Sequence, residues 1–195
     1  AALVMAKIIY PETEQSDTSG KIKVTINRQA ENVMDALGQG ATDGLKLAAN
    51  VGAMLLAFVS MITMVNYLLV YFFSINMQEM MGVLFQPLAW SMGVPWNEAK
   101  ILGTLMGEKI VLTELIAYSN LSELILNDKI SERTAIIASY ALCGFSNFGS
   151  IGIQLGGIGG MAPNRRKDLS TIAFKAMIGG ALASWLTATI AGFLL

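Results

Sequence analysis

The chain has 195 residues and a formal net charge of −1, and it is 54% hydrophobic before its 19 glycines are counted, against roughly 45–50% with glycine included in soluble domains. Charged residues make up 14% where about 25% is usual, too few to coat a soluble globule, so the composition predicts a membrane protein in contact with the lipid bilayer. The scattered basic residues exclude a nucleic-acid polymer as partner, and the lack of histidine with a single cysteine, Cys143, excludes Ser-His-Asp and Cys-His catalysis, an internal disulfide and nearly every zinc site.

Residues 1–20 begin with an apolar run, Ala1 to Ala6, that lacks the basic flank and length of a signal peptide. Lys7, Pro11, Glu12 and Glu14 then lead into water. This reads as the end of a preceding span, and the chain as the second half of a larger membrane protein. In residues 21–50, Ile22, Val24 and Ile26 alternate like a strand, whereas Val33 to Leu47 has the pattern of an amphipathic helix on the cytoplasmic membrane surface.

Residues 51–75 carry no charge. As a helix they would run ~37 Å, longer than the roughly 30 Å hydrocarbon core, so they predict a transmembrane helix. Asn66 within it is expected to make a helix-to-helix hydrogen bond. Residues 76–96 contain no Lys or Arg but hold Pro87, Trp90, Pro95 and Trp96, the makings of an extracellular interfacial connector with aromatic anchors.

Residues 97–118 are less regular. Asn97 can cap a short helix, Gly103 and Gly107 interrupt it, and Lys100, Glu108, Lys109 and Glu114 sit in otherwise apolar sequence. Two short helices meeting near Gly107 to Val111 predict a re-entrant hairpin, a form that requires its irregular backbone to be buried in protein or to line a wet cavity. Glu108 and Lys109 are adjacent and on a helix point in different directions; at the tip Glu108 is expected to face solvent when the site is open, with no such assignment for Lys109. Glu114, just beyond, is the leading site candidate, because a carboxylate at that depth is costly unless it faces water, a ligand or a cation.

After an external connector at 119–133, residues 134–163 have no charge and carry glycines at 144, 149, 152, 156, 157, 159 and 160. The helical flanks Ala135 to Leu142 and Ile151 to Leu155 enclose a stretch, Gly144 to Ser150, that collects Ser146, Asn147 and Ser150. Glycines alone would signal close helix packing. The clustered polar side chains instead predict a broken transmembrane helix. Arg165, Arg166 and Lys167 form a basic turn, and residues 168–195 make a last transmembrane helix in which Lys175 can snorkel to the interface.

With the segment before Val51 and the Arg165 turn in the cytoplasm, Lys7, Lys21, Lys23, Arg28, Lys46, Arg165, Arg166 and Lys167 face inward. Only Lys129 and Arg133 lie in outer loops, with Lys100 at a hairpin edge, which satisfies the positive-inside rule. The fold class that follows is all-α integral membrane, with transmembrane helices, a re-entrant hairpin and a broken helix. Discontinuous elements of this kind form the binding sites of many secondary transporters.

Gly107 to Leu121, GEKIVLTELIAYSNL, resembles the G-x-K-x3-N-E-F-V-A-Y-x-x-L motif of the concentrative nucleoside transporters. CGFSNFGSIGIQ at 143 to 154 is similar to the second signature of that family, and APNRR at 162 to 166 fits the turn after it. The resemblance covers the whole chain and implies the C-terminal half of an inverted-repeat nucleoside permease. It further implies ion-coupled import of nucleosides driven by Na+ or H+, no organic cofactor, a homotrimer, and the inner cell membrane as location.

By the same resemblance Glu114 binds ribose hydroxyls, Asn147 and Ser150 also contact the sugar, and Phe145 lines the pocket. The coupling-cation site is expected in the other half. A carboxylate can accept from two hydroxyls while Asn and Ser both donate and accept, a mix that suits a sugar. Thr113 replaces the motif's Asn, Leu115 its Phe, and Gly149 a frequent Ser, departures that bear on the coupling ion and the base preference. A structural or channel-like membrane subunit using glycine packing and an acidic pore residue is the alternative. A membrane enzyme would need a nucleophile with a base or a metal cluster, which Glu108, Glu114 and Ser150 do not form.

Overall fold

Short polar residues punctuate the sequence, and five of them start helices. The structure, a computed structural model, describes residues 1–13 and 31–195. The strand-like Ile22, Val24 and Ile26 and the first part of the 21–50 segment lie outside the described residues. In chain order the helices are α1 (Ala2–Ile9), α2 (Val33–Phe73), α3 (Met77–Ser91), α4 (Trp96–Val111), α5 (Glu114–Leu126), α6 (Glu132–Leu142), α7 (Phe148–Met161) and, after a 3₁₀ turn at Pro163–Arg165, α8 (Arg166–Leu194). Asn32, Asn76, Thr113, Ser131 and Asn147 cap α2, α3, α5, α6 and α7 by accepting a first-turn backbone N–H, donors that a helix cannot satisfy itself. No strand occurs among the described residues, so the all-α expectation holds.

Several boundaries differ from the sequence reading. The surface helix and the span after it are one helix, α2, of 41 residues, about 61 Å long. Nothing between Leu47 and Val51 breaks it, since Ala and Leu favour a helix and a lone Asn is tolerated. It stops at Phe73 rather than Ile75, because Ser74 takes a left-handed conformation (φ 55°) and Asn76 begins the next helix. The 76–96 connector is largely the helix α3. Asn97 does not cap α4, which starts on Pro95 with Asn97 already inside.

Gly103 and Gly107 do not interrupt α4 either. They let α3 approach: a Cβ on Gly103 would sit 2.5 Å from Gly82 O, and one on Gly107 2.6 Å from Met81 Cβ. The break therefore falls later, at Leu112 and Thr113, and α5 continues to Leu126 through what reads as connector in the sequence. A hydrogen bond from Asn120 Nδ2 to Glu108 Oε2 (2.8 Å) shows that α5 folds back along α4.

One core joins α3, α4, α5, α6 and α8, with Ala89, Leu102, Leu105, Met106, Ala117, Ile137, Leu142, Ala181 and Trp185 buried together. Burying a Leu, Ile or Met side chain contributes about 1.5–3 kcal/mol. At one end of this core Glu98 accepts from Ser131 N and Oγ (3.1 and 2.9 Å), and Arg133 donates to Gly93 O and Gly192 O (2.9 and 2.5 Å). These bonds tie α4, α6 and the last turn of α8 to the α3–α4 turn.

The long α2 stands apart from that core. It meets α7 along a glycine face, where a Cβ on Gly152 or Gly156 would lie 3.0 Å from Met54 O or Asn50 O. Asn66 makes the expected helix-to-helix bond, accepting from Met77 N (2.8 Å) at the start of α3. Leu56, Val59, Met61, Tyr67, Tyr71, Phe72 and Phe73 of α2 remain exposed, a surface suited to lipid or further protein rather than water. Two stretches, Val33–Phe73 and Pro163–Leu194, are long and apolar enough to cross a membrane.

Candidate functional site

Two interruptions of helix meet inside the molecule. The first is the Leu112–Thr113 link between α4 and α5, and the second is residues 143–147 between α6 and α7. The second is shorter than the sequence suggests. Phe148, Gly149 and Ser150 are already the first turn of α7, because Asn147 and Ser150 form a reciprocal capping box that nucleates the helix there. Gly144 turns the chain with φ 119°, a conformation that glycine adopts without steric cost.

Asn147 Oδ1 accepts from Ser150 N at 2.7 Å, and its Nδ2 donates to Glu114 Oε2 at 3.0 Å. Ser150 Oγ donates to Asn147 O at 2.6 Å and accepts from Asn147 N at 3.3 Å. Asn147 and Ser150 are buried (2% and 6% exposed), while Glu114 is half-buried as the first residue of α5. Glu114 thus lies at one helix N-terminus and reaches the cap of a second, and both ends carry partial positive charge that favours a carboxylate. Its Oε1 remains available as an acceptor.

Three carbonyls at and just past the C-terminal end of α6 accept from three other helices. Lys109 Nζ of α4 donates to Ala141 O (3.1 Å), Tyr118 Oη of α5 to Ser139 O (2.6 Å), and Ser184 Oγ of α8 to Cys143 O (2.5 Å). Buried irregular backbone is stable only with such partners.

Of the sequence-predicted site residues, the fold brings Glu114, Asn147 and Ser150 together. Phe145 is 68% exposed and stands at the rim, bordering a cavity of about 190 Å³ with Ser146, Ser150 and Gln154 against Ala176 and Gly180 of α8. Glu108 is not a solvent-facing tip residue. It lies within α4, half-buried and bonded to Asn120, beside a separate cleft of about 430 Å³ between α4 and α5.

Its neighbour Lys109 is fully buried, a part of the site that sequence reasoning missed. The signal was present in its register. Lys109 follows Leu102, Leu105 and Met106 at helical spacing, so it shares their buried face rather than the face of Glu108.

The family model described as "Na+ dependent nucleoside transporter C-terminus" matches residues 1–192. The "Uncharacterized transporter YutK" of Bacillus subtilis is 46% identical over 98% of the chain and 49% of its own length. The "Nucleoside permease NupC" of Helicobacter pylori is 38% identical over 97% of the chain and 47% of its own length. Among solved structures, an outward-facing state of CNTnw superposes with a TM-score of 0.84 at 40% identity, covering 96% of this chain and 46% of that one. The chain spans about half the length of the first curated relatives it matches.

Proposed function

This chain belongs to the Na+-dependent nucleoside transporter family, a family of membrane transporters rather than enzymes, and we propose that it forms the C-terminal, substrate-binding half of an ion-coupled nucleoside importer. The observation that carries the reading is the contact between Glu114 and Asn147, which unites two helix interruptions distant in sequence. In the proposed membrane setting, α4 and α5 form a re-entrant hairpin entered from outside, α6 and α7 a broken transmembrane helix, and both belong to one member of an inverted repeat.

Glu114, Asn147 and Ser150 bind the sugar of the nucleoside, and Phe145 closes over it. Glu114 Oε1 accepts a ribose hydroxyl. Ser150 Oγ, whose proton is held by Asn147 O, can accept another, and Asn147 Nδ2 has a second hydrogen to donate. The coupling ion is Na+, in line with the dependence named for the family and for the rat "Sodium/nucleoside cotransporter 1", 38% identical over 99% of this chain. Its site lies in the other half of the transporter, which sits in the inner cell membrane as a homotrimer.

The test is uptake of labelled uridine by a full-length transporter carrying this chain, reconstituted in proteoliposomes with an imposed Na+ gradient. Accumulation above the external concentration that collapses with the gradient is expected. Uptake that only equilibrates would favour the channel-like subunit, and no saturable uptake of any nucleoside would defeat the reading.

A further inference from the structure

Lys109 is the largest fully buried side chain of the described core, at 0% exposure. It forms no ion pair within salt-bridge distance among the described residues. Its hydrogen bond is to a single acceptor, the carbonyl of Ala141 at the C-terminal end of α6. A buried charge without a carboxylate partner is costly, and nothing in the packing of Leu102, Leu105 and Met106 around it requires an ammonium. What the ammonium meets is the negative end of a helix dipole, an end that opens into the 143–147 break and that water or a bound cation would otherwise have to stabilise.

We propose that Lys109 is a tethered cation, a positioning residue that fixes the broken α6–α7 pair against the tip of the α4–α5 hairpin. Lys109 lies in the last turn of α4, five residues before Glu114, and Ala141 lies six before Asn147. The Lys109–Ala141 bond therefore links the two helices that lead into the interruptions, as Glu114–Asn147 links the starts of the two helices that follow them. Without it Tyr118 Oη on Ser139 O still ties α6 to α5, but the end of α6 loses its tie to α4 at Ala141, and the distance between Glu114 and Asn147 is set less firmly. The inference rests on the nucleoside-site reading above for its affinity readout, but not for its stability readout.

The experiment uses a full-length transporter carrying this chain, purified in detergent, with uridine binding measured by calorimetry. Lys109→Met keeps bulk and length but removes the charge. It is expected to bind uridine about tenfold or more weakly, the size of one lost charge-assisted hydrogen bond, and to discriminate less between uridine and 3'-deoxyuridine. Lys109→Ala leaves room for a small molecule, so added n-propylammonium should restore affinity and raise the unfolding temperature, whereas n-propanol at the same concentration should not. Wild-type affinity and discrimination in Lys109→Met would overturn the proposal, as would rescue of Lys109→Ala by both additives alike or by neither. Should Lys109→Met fail to fold, the Lys109→Ala rescue decides. Should the wild type bind no uridine, it is the nucleoside reading that fails, and the selective effect of n-propylammonium on unfolding still tests the tethered cation.

Discussion

At Asn147 one side-chain amide is divided between fold and site: its oxygen caps α7 through Ser150 N and its nitrogen donates to Glu114. The two roles can be separated chemically. Asp is as good an N-cap as Asn, but it cannot donate and would set a second carboxylate beside Glu114. Asn147→Asp is therefore expected to lower uridine affinity by tenfold or more, and to lower the unfolding temperature at neutral pH through repulsion from Glu114, a loss relieved at low pH where the carboxyls are protonated. Asn147→Ala loses both roles and should also destabilise the protein by ~1 kcal/mol, seen as a lower unfolding midpoint. If Asn147→Asp binds uridine as tightly as the wild type, the amide nitrogen has no role in binding. Glu114→Gln keeps the shape and removes the charge. Charge-assisted hydrogen bonds contribute on the order of 1.5–3 kcal/mol each, so affinity should fall about tenfold or more. The wild type should strongly reject nucleosides that lack a ribose hydroxyl, and Glu114→Gln should reject them much less, because the missing hydroxyl then leaves no buried charge unpaired. Uptake competition between ribo- and 3'-deoxynucleosides checks this. Equal discrimination in both proteins would remove Glu114 from the sugar site.

Between elements, glycine does two different things in this chain, and substitutions should tell them apart. Gly144 holds φ 119° at the break, with Ser184 Oγ 3.0 Å from where a Cβ would be. Gly144→Ala forces either strain of order 1–3 kcal/mol or movement of the break, so uptake should fall even where the protein still folds. Gly152 is helical, and a Cβ there would meet α2 at Phe58 Cδ2 (2.8 Å) and at Met54 O (3.0 Å). Gly152→Leu should push α2 away from α7 and lower the unfolding temperature. At Gly157 an added methyl would meet no atom nearer than 3.8 Å, so Gly157→Ala should change neither measurement by much. If Gly152→Leu and Gly157→Ala leave stability equally unaffected, the α2–α7 packing is not what holds these helices together.

At the scale of the molecule, the proposed site, built on one hairpin and one broken helix, would cover a ligand from one side only. This chain alone, reconstituted in proteoliposomes, is expected to show no concentrative nucleoside uptake, while a full-length transporter carrying it accumulates uridine; robust accumulation by the chain alone would overturn the half-site reading. The sequence by itself determined that the molecule is helical and membrane-embedded, because composition and uncharged runs such as 51–75 reflect transfer from water to lipid, a property summed residue by residue. It also singled out Glu114, Asn147 and Ser150, which the fold brings together, because polar groups in apolar sequence stand out wherever the chain takes them. Tertiary structure decided what the glycines are for. Gly103 and Gly107 read as interruptions until α3 is packed on α4, since a glycine's effect depends on the backbone facing it. Lys109 and Glu108 are neighbours in sequence but opposite in environment, one fully buried on Ala141 and one on Asn120 at the edge of a cleft. The spacing of Leu102, Leu105, Met106 and Lys109 marks one face of α4 in the sequence, but how fully that face is covered, and which carbonyl meets Lys109, is fixed only when the other helices close around it, because burial is a property of the assembled helices and not of any one of them.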